Sequence, residues 1–185
     1  MRPVLRHEIT DYQTYEETRA ETRAAMMDIK AVRRIHAGQY LTFLFENRDT
    51  VRYQVHEMMR TEQIVKEADI LHELDTYNEL LGKSGELGCT LLIEIETEEE
   101  RAVKLTQWLP VPKHLYLKLA DGTKVRAQYD ERQVGETRVS SVQYLRFDVG
   151  GETPVAIGCD FDLLDIEEEL SLVQKATLGE DLGED

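Results

Sequence analysis

The chain is poor in the residues that anchor small or specialised folds. Only two cysteines occur in 185 residues, Cys89 and Cys159, each inside a strand-like apolar run with no CxxC and no metal-ligand spacing. That argues against a disulfide framework, and points to reduced thiols packed in a core. No apolar run approaches the roughly 20 residues of a bilayer-spanning helix. The opening MRPVLRHEITDYQTYEE holds no apolar segment of signal-peptide type. A cytoplasmic location away from membranes is the expectation. Net positive charge is also lacking: the formal charge is −15, which repels phosphates and argues against a nucleic-acid partner.

Catalytic signatures are equally scarce. No GxGxxG, P-loop or GxSxG occurs, and no Glu-x-x-His pair suggests a di-iron bundle. His56-Glu57-Met58-Met59-Arg60 begins like the HExxH zinc motif, but Arg60 stands where the second ligand belongs. No metal and no cofactor are expected. The remaining histidines, His7, His36, His72 and His114, are scattered.

What is present is an ordinary globular composition, 41% hydrophobic and 32% charged, long enough for one domain with a proper core. Charge is unevenly spread: residues 1–66 hold 11 basic and 10 acidic side chains, whereas 160–185 hold 10 acids and only Lys175. Thr10-x-x-Gln13 reads as a capping box and Gly38 as a helix stop. Between them Tyr15, Thr18, Thr22, Met26, Ile29 and Val32 make one stripe of a long amphipathic helix, about 37 Å from end to end. A strand over Tyr40–Phe45 follows, then a second helix fading near Ala68. A third runs from Ile70 to Leu81 behind Asp69, and Gly82 ends it.

Beyond Lys83-Ser84-Gly85-Glu86 the pattern alternates. Leu87 to Ile95, Leu115 to Leu119, Val125 to Tyr129, Val142–Val149 and Val155–Phe161 read as strands. A helix capped at Thr97 lies between the first two, and Asp121-Gly122 marks a hairpin. Asp130 to Ser140 reads as a polar loop, and Ser171-x-x-Gln174 opens a short last helix. The expected fold is α+β: a mainly antiparallel sheet of about six strands packed against a long N-terminal helix and further helices. One domain should cover 1–178, with a helical half 1–82 and a strand-rich half 87–161. The acidic end 179–185 should be frayed and dispensable.

The stretch FENRDTVRYQVHEMMR, residues 45–60, is the most distinctive. Asn47 is a good N-cap, and Val51, Val55, Met58, Met59 and Val65 share one apolar arc at 100° per residue. Glu62 projects into that arc, with Arg48 and Arg52 near its opposite edge. A carboxylate on a core face has to be paired, so a structural cluster of Glu46, Arg48, Arg52 and Glu62 is one reading. The other is a binding site in which Asn47, Arg48, Arg52, His56 and Arg60 meet an anion at the helix start, where free N–H groups already favour negative charge. Tyr53 and Ile64, on the back of the same helix, suggest a second packing surface that could serve a homodimer.

These residues also carry a resemblance. Phe45 to Gln54 with Glu57, Met58 and Arg60 resembles a bacterial family catalogued only as domain of unknown function 3501. Thr76-Tyr77-Asn78, Thr90 to Glu94, Val142 to Phe147, Ala156 to Asp160 and Asp181-Leu182 support the likeness. Its members are often encoded near rubrerythrin-like and iron–sulfur oxidoreductase proteins, which implies an accessory role in redox or peroxide defence. Two functions therefore stand as expectations. One is a non-catalytic accessory protein that binds a partner protein. The alternative is a small-anion binder, or an enzyme acting on an anionic substrate, at the Asn47–Arg60 helix.

Overall fold

The computed structural model describes residues 1–131 and 134–183. Arg132 and Gln133 of the expected polar loop, and Glu184 and Asp185 of the tail, lie outside the described residues. The described chain is α+β, and its strands pair antiparallel throughout. In order come α1 (Tyr12–Ala31), β1 (Arg34–Ala37), β2 (Leu41–Phe45), α2 (Arg48–Glu62), α3 (Glu67–Asn78) and β3 (Glu86–Ile93). Then follow α4 (Glu98–Gln107), α5 (Val111–His114), β4 (Leu115–Lys118), β5 (Lys124–Arg126) and β6 (Gln128–Tyr129). The chain finishes with β7 (Val142–Asp148), β8 (Ala156–Phe161), β9 (Leu164–Glu169) and α6 (Leu172–Gly183).

Among the described residues there are nine strands where about six were expected, and they form two sheets, β1-β2-β3-β7-β6 and β5-β4-β8-β9. The return strand of the Asp121-Gly122 hairpin divides at Ala127, so that β5 pairs in one sheet and β6 in the other. Inward side chains of both sheets share one core: Phe43, Phe45, Leu91 and Phe147 from the first, Leu115, Leu117, Ile157 and Cys159 from the second. Leu105 and Trp108 at the end of α4, with Leu178 of α6, join it.

A smaller core joins the helices. Val51, Val55 and Met59 of α2 meet Ile70 and Leu74 of α3 and Val4 and Ile9 of the N-terminal segment. The linker that follows α3 runs against β3 at Gly88. A Cβ at Gly88 would come 1.8 Å from the Leu80 carbonyl oxygen. Only glycine lets the linker after α3 cross the sheet there.

Several boundaries differ from the sequence reading: α2 ends at Glu62 rather than near Ala68, and α3 runs Glu67–Asn78 behind Lys66 rather than Ile70 to Leu81 behind Asp69. The first helix starts one residue later, because Asp11 caps it by accepting from the amides of Gln13 and Thr14, at 3.0 and 2.9 Å. It ends at Ala31, well short of Gly38. Ile35 and Ala37 pair with β2 instead, and Gly38, at φ +60°, makes the hairpin turn. The described part of the expected tail, residues 179–183, is helical: α6 runs to Gly183, Leu178 is fully buried and Leu182 packs on the main core. Asp181, 2% exposed, accepts a guanidinium fork from Arg33, with Nε and Nη2 each 2.8 Å from a carboxylate oxygen. Acidic composition suggested a solvated end; one buried ion pair anchors it.

Candidate functional site

The distinctive segment 45–60 turns out to be a set of joints between layers. Phe45 fills the main core. Glu46 is buried, and its two oxygens accept from the hydroxyls of Thr50 (2.6 Å) and Thr90 (2.7 Å), not from an arginine. Asn47 caps α2 reciprocally: its Oδ1 accepts from the Thr50 amide at 3.0 Å, and its own amide donates to the Thr50 hydroxyl at 2.9 Å. Arg48 donates through Nη2 to both oxygens of Glu8, tying α2 to the N-terminal turn. Arg52 pairs locally with Asp49 at 2.7 Å, and both side chains are more than two-fifths exposed. Arg60 pairs with Glu16 of α1.

His56 is buried on the side of α2 that faces α1. Its Nε2 accepts from the Thr10 amide at 3.1 Å, and its ring stacks on Tyr15 with centroids 4.8 Å apart and planes within 14°. Burial pushes its pKa below the ordinary value of 6.5, opposed by a hydrogen bond to the Arg52 carbonyl. With one nitrogen accepting and the other facing a carbonyl, the ring is neutral by construction. Next to it, Glu57 accepts from the Tyr15 hydroxyl at 2.5 Å and from two nitrogens of Arg19 at 2.8 Å. Arg19 holds that carboxyl below the usual range, whereas burial and Glu57 push the Tyr15 phenol up.

The expected cluster is therefore not assembled. Glu62 is exposed, because it is the last helical residue and Gln63 turns left-handed (φ 53°) where the chain leaves the core. Val65, placed in the apolar arc by projection, is 72% exposed for the same reason. Tyr53 and Ile64 are not a free back surface either. The Lys30 ammonium of α1 sits 4.9 Å from the centre of the Tyr53 ring, and Ile64 packs into the helical core. Arg48, Arg52 and Arg60 each hold a carboxylate, so α2 offers no unoccupied guanidinium to an anion.

A concave site lies elsewhere. A cleft of about 880 Å³ opens between the end of α3 with its linker and the outer face of β6 and β7. That volume falls within the range of small-ligand and peptide pockets. Arg146 and Tyr144 of β7 form the floor, Tyr77 of α3 and Lys83 of the linker form a wall, and Gln128 and Tyr129 come from β6. Arg146 is half-buried, and its guanidinium has no hydrogen-bond or ion-pair partner among the described residues. This site escaped the sequence reading, although Thr76-Tyr77-Asn78 and the Val142–Phe147 stretch, both part of the family resemblance, meet here.

Other chemistry is thin. Both cysteines are free and buried, and burial pushes the Cys159 thiol to about 11 and Cys89 well above its ordinary value, so neither is a thiolate at neutral pH. Among the described residues no group of histidine, cysteine and carboxylate side chains could hold a metal ion. Nor is any helix among them long and apolar enough to cross a membrane.

Comparison with known proteins sets this geometry in a family. A crystal structure described as a novel protein of unknown function from Burkholderia pseudomallei K96243 superposes with a TM-score of 0.89 at 29% identity. The match covers 98% of this chain and 100% of that one. No curated protein matches. The family described as "Protein of unknown function (DUF3501)" matches residues 3–182, and the chain belongs to that family.

Proposed function

We propose that the protein is a non-catalytic accessory protein, and that the cleft over β6 and β7 is where it binds its partner protein. The observation that carries this reading is Arg146. A half-buried guanidinium is costly to leave without an acceptor, and this one faces an open cleft beside three tyrosines. Arginine and tyrosine are the side chains that most often dominate binding surfaces. The alternative anion site on α2 is disfavoured, since Arg48, Arg52 and Arg60 already hold carboxylates. A cytoplasmic setting beside enzymes of redox or peroxide defence belongs to the same proposal and rests on the family resemblance alone.

Site-specific photo-crosslinking tests it. A photoreactive residue replacing Tyr144 should yield a discrete protein adduct in the native host, and Arg146→Met should abolish it. The same residue replacing exposed Glu62 should yield none. Adducts from position 62 but not from 144 would overturn the assignment.

A further inference from the structure

Resting on the cleft as the binding surface, we infer that the group it takes is a single carboxylate borne next to a planar ring. The floor supplies the argument. In the strand register Arg146 stands between Gln128 of β6 and Gly88 of β3. Over Gly88 the space is filled by the Leu80 carbonyl, an acceptor that repels anions, so an incoming anion is directed to the guanidinium from the β6 side. A guanidinium fork matches the planar carboxylate with two parallel hydrogen bonds.

Other charged groups lie on the same lining. Lys83 adds a cation to Arg146 and Glu79 a carboxylate, while Asp130, on the same lining, already has an interaction of its own. The Met1 ammonium, also there, is held on the Gly82 carbonyl at 3.3 Å. The rest of the cleft is aromatic. Tyr144 lies two residues from Arg146 on the same face of β7, with Tyr77 and Tyr129 beside it. Burial raises the phenols of Tyr77 and Tyr129, so they stay neutral and offer ring faces and hydroxyl donors. Offset stacking on such faces favours a flat, apolar group.

Since the occupant is a partner protein, the group is the terminal carboxylate of a protein chain that ends in an aromatic residue; a free aromatic acid shares this chemistry and is the competing outcome. Isothermal titration with phenylacetate, phenylacetamide, inorganic phosphate, the peptide Gly-Gly-Phe and its C-terminal amide separates them. Both acids should bind saturably, and both amides about ten- to a hundredfold more weakly, the usual weight of a charge-assisted hydrogen-bond pair. Phosphate, which a guanidinium fork also takes but which offers no ring to the tyrosines, should bind more weakly than both acids. Arg146→Met should remove the preference for acid over amide, and Arg48→Met should leave it intact. Tyr144→Ala, at an exposed position, should weaken both acids and serves if Arg146→Met folds poorly. Tighter peptide binding supports the protein terminus; equal or tighter phenylacetate overturns it in favour of a free acid.

Equal affinity for acid and amide, tight phosphate binding, or no saturation by either acid at millimolar concentration would overturn the inference. If the acids fail while crosslinking from position 144 still depends on Arg146, the cleft stands as the binding surface and only the ligand class falls. If both fail, so does the cleft.

Discussion

Replacing Asp181 by alanine should be the most damaging single change near the C-terminus. The carboxylate is 2% exposed, and the Arg33 side chain 11%. Arg33 donates Nε and Nη2 to Asp181 and Nη1 to the Ile29 carbonyl at 3.0 Å, so three of its five donors are used in a largely dry setting. Asp181→Ala strands the guanidinium with that one carbonyl. Breaking a buried pair from one side costs about 3–5 kcal/mol, and a chain of this size loses about 2–4 °C of melting temperature per kcal/mol. The expected drop is therefore about 6–20 °C, read by circular dichroism or calorimetry. The double change Arg33→Met with Asp181→Leu should recover much of it, because apolar groups can fill the same volume without a stranded charge. A single variant within about 1 kcal/mol of the parent, the range of an exposed pair, would refute the reasoning and leave α6 only loosely attached.

Three further outcomes follow from particular contacts. The lowered pKa of His56 means that the unfolded chain takes up a proton near pH 6.5 before the folded one does. The contribution of this group should be constant above that pH and fall as pH drops below it, until the folded ring is itself protonated, and His56→Gln should flatten this step in chemical denaturation curves. Glu62→Ala should change stability by no more than about 0.5 kcal/mol, as for an ordinary surface change; a large loss would mean that it contacts the core. Gly88→Ala should cost about 1–3 kcal/mol or more, since the obstructing Leu80 carbonyl is backbone and cannot rotate away. A neutral result in urea unfolding would show that the linker after α3 is free to move.

Local rules carried much of the fold. Caps at Asn47, Thr97 and Ser171 depend on a side chain and an amide three residues apart, and all three form as read. Alternation through Leu87, Cys89, Leu91 and Ile93 identified β3 because one of its faces is fully buried. β9 was missed because it is an edge strand that holds three consecutive glutamates. β1 was absorbed into the first helix because Ile29 and Val32 continue the helical spacing up to it. Glu62 was misplaced because a helical projection assumes that the core accompanies the helix to its last residue. Contacts distant in sequence left no local mark: Arg33 and Asp181 lie 148 positions apart. The cleft needs segments near 77, 129 and 145 to converge, and only the family resemblance linked two of them.

Amide chemical-shift mapping with phenylacetate tests the central claim most directly, because it reports where an acid binds without assuming a residue. The account predicts perturbations centred on residues 76–83, 128–130 and 144–146, with those at Asn47–Arg60 unmoved. Perturbations centred on Asn47–Arg60 instead would contradict it, and would return the binding site to α2.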